Sequence, residues 1–598
     1  MARISNGSVS SDEAQTPVAA LPPSKKPSLV PLAGPVAGAL LGRVRAALDR
    51  VLYSSFIWRQ MLAGPAPDRL LAQPRSFFPK SIVQAQQILE GRYRLVGGEA
   101  EASDGSPFFA EAPSEQWLES LHSFEWLRHL EAIGGEPMQA HVRQLLAHWI
   151  RTFGQDWSDV AWRPHVTARR LMVWASLGRL ILTNSDILFR SRVLWSMARQ
   201  ARHLALTATK APPGLPRLTA IIGLVQSGMT LPDGEKRVAK GLHLLAEELT
   251  TQILADGGHI SRNPESVLVV MSDLLALNDA MRQRHIVVPA TIRRALDRMA
   301  PMVRFLTLGD GRLASFNGGT EGPDGWSALL LTHEESSHRV LTHAPHTGYD
   351  GLTGGSTAIV VDVGVPPPPE LSAEAHAGTL SFEMSLGRER LIVNCGSPTT
   401  RGADWMAATR ATAAHSTLTI ADSSSGNVLA QHFAVRLLGA RLLPGPTHVE
   451  VKRNEVENGI WLHMNHDGYV KPFGLFHERE LFLSNDGSRL EGHDRVSPRG
   501  RKADQPPLPL AVRFHLHPDI RVALNAEGHT AVLTAPSGAA WRFETESADL
   551  ALGESVYCGA GDALRKTAQL VIASMSSAEP VSLKWTLRRL SDDIPSPF

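Results

Sequence analysis

Residues 374–418, EAHAGTLSFEMSLGRERLIVNCGSPTTRGADWMAATRATAAHSTL, hold the side chains in this chain best suited to chemistry. His376 precedes a strand-like run, Asn394 ends the next one, and His415 opens a third. Imidazoles can bind a metal or move a proton, and an amide can steady a carboxylate. The apolar runs 380–386 and 391–393 flank Gly387-Arg388-Glu389, which reads as a hairpin connection. Strands joined in this way lie side by side, so His376, Asn394 and His415 are expected to converge at one end of a sheet.

A second polar group, His259, Arg262, Asn263 and Glu265, falls where a loop opens a helix. Arg262 could clamp a carboxylate through two parallel hydrogen bonds, and Asn263 could donate another. Glu374 could act as a base if burial raised its pKa. The competing reading is structural: Asn263-Pro264-Glu265 caps a helix, and Arg262 pairs with a nearby acid. For His376 and His415 the competing reading is a pair of hydrogen-bonded strand-end imidazoles. His463, His466, His477, His515 and His517 sit on alternating strands and read as structural, while Tyr349 and Tyr469, each near glycine, read as packing or sugar-stacking residues. Gly309-Asp310-Gly311 reads as a turn, since no βαβ unit surrounds it.

The elements that must position these groups follow from hydrophobic period. From about 36 to 305 the period is helical, with Leu40, Leu41, Val44, Ala47, Leu48 and Val51 on one face, and Trp117, Leu118, Leu121, Phe124, Leu127 and Leu130 on another. Further helices are predicted over about 165–183, 187–208, 217–230, 236–254, 265–284 and 289–305, linked by short Gly-, Pro- and Asp-bearing turns. Many helices with short connections predict a toroid or stacked pairs rather than a four-helix bundle. After about 310 the period becomes two. Strands are predicted at 357–363, 381–386, 416–420, 448–452, 475–483, 511–517, 531–534 and 568–573, with 496–509 as an exposed loop. The expected fold class is α+β and multidomain: a disordered segment 1–35, an α-helical toroid-like domain 36–308, and an antiparallel β-sandwich 309–598. A cleft at their junction would suit an extended ligand.

Composition narrows the function. A chain of 598 residues with 43% apolar and 20% charged side chains is an ordinary globular protein of more than one domain. Its formal charge of +1 gives no reason to invoke nucleic acid. Two cysteines, Cys395 and Cys558, cannot build a disulfide framework and read as small apolar filler. No apolar run is long enough for a transmembrane helix, and the start lacks a secretory pattern. The default expectation is cytoplasmic, with export to the periplasm left open. Nothing in the sequence fixes the oligomeric state.

In order along the chain, Leu62-Ala63-Gly64-Pro65, Phe124-Glu125-Trp126-Leu127, Asp256-Gly257-Gly258-His259 to Pro264, Gly309-Asp310-Gly311, 379–385, Ala414-His415-Ser416-Thr417, His466-Asp467-Gly468-Tyr469 and Arg513-Phe514-His515 resemble the heparinase II/III family of bacterial polysaccharide lyases. The resemblance implies an α/α toroid with a β-sandwich, and β-eliminative cleavage of a uronate-containing acidic polysaccharide such as a glycosaminoglycan. It also implies an amide or imidazole to neutralise the carboxylate, a base for the C5 proton and a tyrosine or histidine acid for the leaving oxygen. At the matching positions this chain has Leu215-Pro216 instead of the amide segment, Ser266 instead of the tyrosine, and Glu374 instead of the first histidine of a His-x-His pair. The resemblance therefore leaves Arg262, Asn263 and Glu374 as catalytic candidates and His259, Arg262 and His376 as substrate-binding candidates. It also implies a zinc site at His376 and His415, weakened because Asn394 stands where a carboxylate is expected. The alternative is a non-catalytic protein that binds acidic glycans or assists envelope polysaccharide assembly.

Overall fold

The computed structural model describes residues 33–102, 106–333, 340–428, 441–442, 445–502, 504–546, 549–560 and 564–590. Segment 1–35 lies outside these residues except for its last three, which open the helix Ala33–Ser54. The apolar stripe of that helix meets solvent: Val44, Leu48 and Val51 are exposed.

Beyond it the predicted helices appear nearly where their periods place them: Pro164–Ser176, Ile187–Thr207, Leu215–Thr230, Glu235–Gln252, Pro264–Gln283 and Ala290–Leu306. The face from Trp117 to Leu130 is divided between Glu115–Ser123 and Leu127–Glu131, and Glu136–Phe153 follows. Phe124 causes the division by taking a left-handed backbone, φ 62°. Leu215–Thr230 is buried along almost its whole length and packs on Pro164–Ser176, Glu235–Gln252 and Pro264–Gln283. A helix apolar on every side belongs at the centre of a layer. Trp117, Trp149, Trp162 and Trp174 fill the space beside it, and the guanidinium of buried Arg170 lies 4.1 Å from the Trp149 ring centroid.

Helices continue through Trp326–Thr332, and from His343 onward the structure is dominated by antiparallel sheets. In the first sheet, Tyr349–Gly354, Thr357–Asp362, Phe382–Leu386, Glu389–Val393, Pro509–Leu516, Arg565–Met575 and Leu550–Tyr557 pair in that spatial order. Leu386 pairs with Glu389, so the expected hairpin turns on Gly387 and Arg388 alone, and Gly387 takes the positive φ of 51° that such a turn needs. The second sheet runs from Arg521–Leu524 through Val581–Arg589, Arg489–Pro498 and Leu475–Ser484 to Val449–Val456. Phe382 and Phe514 of the first sheet meet Trp585 of the second at ring-centroid distances of 6.1 and 4.7 Å, which locks the sandwich core. Ala344, Tyr349 and Val360 instead belong to the helical core, so the first sheet is packed on both faces.

Candidate functional site

The loop from Ile253 to Asn263 sets the helical layer against the first sheet. Asp256 accepts from the backbone N–H groups of His346 and Thr347, each at 2.8 Å, and from the Thr347 hydroxyl at 2.6 Å. Arg262, whose φ is 62°, lies six residues on. Its Nε donates to Thr347 O at 2.7 Å, Nη1 to Gly364 O at 3.2 Å and Val365 O at 2.9 Å, and Nη2 to Gly348 O at 2.9 Å and the Asp362 carboxylate. A guanidinium has five N–H groups, and all five are used. Arg262 is therefore a staple between the two layers, with no donor left for a substrate carboxylate, contrary to the clamp expected from sequence. Burial alone would lower its pKa, but Asp362 and Tyr349 reverse the shift, so it stays charged.

His259 is 1% exposed. Its Nδ1 accepts from Ser261 N at 3.1 Å, which assigns the proton to Nε2, and Nε2 donates to Gln252 Oε1 at 2.9 Å. Burial lowers its pKa to about 4, so the ring is neutral. Expected to face a ligand, it instead orders its own loop. Asn263 caps the helix Pro264–Gln283 by accepting from Glu265 N at 2.9 Å, and its Nδ2 reaches Glu374 Oε2 at 3.4 Å. The structural reading of this loop accounts for Arg262 and for one half of Asn263.

Glu374 differs from its neighbours. It is exposed at the rim, beside Gly318 and Asn263. Desolvation of its carboxyl group, and then the charge of Glu265, raise its pKa against the opposing Asn263 hydrogen bond and Arg410 charge. Of the proposed catalytic side chains it is the one still open to a ligand. The other positions expected to differ from the family are packed into the protein. Leu215 packs against the helical core at the first turn of its helix, and Ser266 is buried, with its hydroxyl 3.4 Å from that of Ser261.

His376 and His415 come together as predicted, with Nδ1 of the first 3.0 Å from Nε2 of the second. His415 Nδ1 lies 2.8 Å from Ala411 O and must donate there, so its Nε2 accepts the proton of His376 Nδ1. Gly378 lets the His415 ring in: a Cβ at that position would stand 2.7 Å from the ring. Asn394 sits close by, but its Oδ1 accepts from Ser416 N at 3.0 Å and its Nδ2 points to Ser315 O. His376 Nδ1 and His415 Nε2 are bonded to each other, and the amide is spent. Among the described residues no group of three His, Cys, Asp or Glu side chains is placed to hold a metal. The donor set does not fit zinc. Both rings are neutral, His415 with a pKa near 4 and His376 well below its ordinary value, chiefly through burial. His376 Nε2 is left buried without a partner.

Sequence reasoning missed the network behind this site. Arg390 bridges Asp310, at 2.8 Å, and Glu383, at 3.3 Å, while Glu383 accepts from Ser315 N and Asn394 N, each at 3.0 Å. Glu321 contacts the Tyr557 hydroxyl and lies 3.6 Å from Arg390. A second buried relay runs across three adjacent strands of the second sheet: His466 Nε2 donates to His477 Nδ1 at 3.2 Å, and His477 Nε2 to Asp494, which also pairs with Arg479. None of the five tyrosines is more than 8% exposed. Tyr349 donates to Arg262 O, and Tyr469 to Leu418 O at 2.9 Å.

Residues 337–586 match the heparinase II/III-like C-terminal family. The FtsZ-localized protein C of Caulobacter vibrioides (strain NA1000 / CB15N) is 35% identical over 580 residues, 94% of this chain and 99% of that protein. Two solved structures share the fold. Heparinase III superposes with a TM-score of 0.63 at 14% identity, over 80% of this chain and 78% of its own. The heparan sulfate lyase HepC of Pedobacter heparinus gives 0.54 at 16% identity, over 93% and 91%. The helical layer, the sandwich and the sequence match together make this chain a member of the heparinase II/III-like family.

Proposed function

We propose that this protein is a non-catalytic member of the heparinase II/III-like family that works beside FtsZ in the cytoplasm. The observation that carries the loss of catalysis is the saturation of the junction. Arg262 and His259 spend their polar atoms on protein partners, and every tyrosine is buried. Proton transfer at a sugar ring needs a group within hydrogen-bond reach of substrate, and electrostatic stabilisation of its carboxylate needs free donors. The relative named for its localisation with FtsZ, similar along nearly its whole length, supports the cellular setting.

The second reading is a lyase that cleaves an acidic polysaccharide. It is favoured by one observation, the exposed Glu374 with its raised pKa, which could serve as base. A single assay separates the two. β-Elimination leaves an unsaturated uronate that absorbs in the near ultraviolet, so the purified protein is incubated with heparan sulfate, chondroitin sulfate and alginate. The expected result is a flat trace. A rise abolished by Glu374→Gln would establish the lyase. The setting is tested by a fluorescent fusion expressed in its host: a signal spread evenly through cells that carry FtsZ rings would sink it.

A further inference from the structure

The described residues of the loop expected from sequence at 496–509 border a cavity that the proposed function does not use. It lies where the strand Arg489–Pro498 ends and the strand Pro509–Leu516 begins, and it encloses about 290 Å³. Pro498, Arg501, Lys502, Gln505, Pro507 and the Ser576–Ala578 turn line it. His515 marks the junction end of the strand Pro509–Leu516, so at about 3.3 Å per residue the cavity is roughly 20 Å from the junction.

The walls are preformed. Arg501 Nη1 donates to Phe473 O at 3.3 Å and Nη2 donates to Pro506 O, which pins the loop around the guanidinium. Prolines 498, 506 and 507 restrict the backbone further. Ser576 accepts from Leu508 N at 2.9 Å, and Ser577 bonds to Glu579 N and O, which fixes the opposite wall. The charge in the cavity is not compensated. Lys502 is exposed and its ammonium has no ion-pair or hydrogen-bond partner among the described residues. Arg499 lies just outside, stacked 3.7 Å from the Phe476 ring centroid. Asp504 and Glu579 are the nearby acids in sequence, and neither forms an ion pair with Arg501 or Lys502.

We infer that this cavity binds a small organic anion: a polar body about the size of one sugar ring, bearing a single carboxylate or phosphate. The anionic group faces Arg501 and Lys502, and the hydroxyls face Gln505 and Ser577. The volume is near the lower end of small-molecule sites, roughly 300 Å³, and well above the space of a single bare ion or water.

Isothermal titration of the full chain at low ionic strength tests this with four probes: glucuronate, glucose 6-phosphate, inorganic phosphate and glucose. Saturable binding of glucuronate or glucose 6-phosphate is expected, at least about tenfold tighter than glucose or inorganic phosphate. Which of the two acidic sugars wins distinguishes carboxylate from phosphate. Lys502→Glu should weaken binding by about tenfold or more, and Arg495→Glu, an equal charge change on the exposed sheet face, should leave it within about twofold. Ala578→Trp, which fills the cavity, should abolish binding. Absence of saturation up to about 10 mM, equal binding of inorganic phosphate, or equal losses in Lys502→Glu and Arg495→Glu would each overturn the inference.

Discussion

Arg262→Ala separates a structural joint from a ligand clamp. The side chain is 6% exposed, and its partner Asp362 is 2% exposed. Removing one member of a buried ion pair leaves an uncompensated charge and costs about 3–5 kcal/mol. Four carbonyls, those of Thr347, Gly348, Gly364 and Val365, lose a donor at the same time. Some will recruit water through the space vacated, so their losses do not simply add, and a total of about 4–5 kcal/mol is expected. For a cooperative unit of some 150–250 residues each kcal/mol moves the midpoint by about 2–4 °C, so the variant should melt on the order of 10 °C lower. Tryptophan fluorescence during heating reports this, since tryptophans stand in both layers. Asp362→Asn added to Arg262→Ala should recover part of the loss, because it removes the stranded charge. A midpoint unchanged within about 1 °C would refute the reasoning. So would a double variant that falls by the sum of the singles. If Arg262→Ala instead weakened binding of an acidic glycan while melting normally, Arg262 would return to the ligand.

Acid should destabilise the fold early. Burial lowers the pKa of His259 and His415 to about 4. The unfolded chain then binds more protons below its own histidine pKa of about 6.5, so the stability present above that pH is lost as pH falls towards 4, by up to about 3 kcal/mol for each ring. A thermal midpoint constant between pH 6.5 and 4.5 would contradict this. Glu383 works in the opposite direction: burial first, against the opposing charge of Arg390, raises its pKa to about 7. Its contribution is full below the unfolded value of about 4.5 and is lost as pH rises through 7, so Glu383→Gln should gain stability relative to the parent between pH 5 and pH 8. A constant difference across that range would remove Glu383 as the titrating group. Zinc at a few equivalents should leave the melting midpoint unmoved, because a ligand stabilises only by what it binds in the folded state. A zinc-dependent rise that disappears in His376→Ala would establish the metal site that the donor geometry disfavours.

The fold was largely legible because its signals are local and repeated. The helix Leu215–Thr230 and the strands on either side of Gly387 declare themselves through period and turn chemistry within a few residues. The pairing of His376 with His415 was also readable, since both precede strands of the first sheet, Phe382–Leu386 and Leu418–Ile420. Arg262 was not. Its partners lie 85 to 103 residues away, and no local pattern announces them. The buried relay at His477 and Arg479 did leave a signal. Along Leu475–Ser484 the positions 475, 477, 479, 481 and 483 are all buried, so alternation places His477 and Arg479 on the same inward face as Leu475, Leu481 and Leu483. Charged residues on the apolar face of a strand call for a buried partner, and Asp494 supplies it.

The chemistry left at the junction follows from counting free valences. A uronate entering there would need donors, and those of Arg262 and His259 cannot turn towards it without breaking bonds that hold the two layers together. What faces outward is an acceptor: the Glu374 carboxylate, with Glu265 close enough to raise its pKa. Two carboxylates at one rim repel a third, so an acidic polymer is disfavoured at the place where the family fold would receive it. Glu265 is itself committed, accepting from Thr320 N at 3.1 Å and from its hydroxyl at 2.9 Å, which ties the rim to the loop that leads into the first sheet. Arg262, His259 and Glu265 thus serve the contact between helices and sheet or the loops that make it. A joint built in this way gains rigidity from that saturation, and Lys502, by the cavity beyond the strand Arg489–Pro498, is one of the cations left without an ion pair among the described residues.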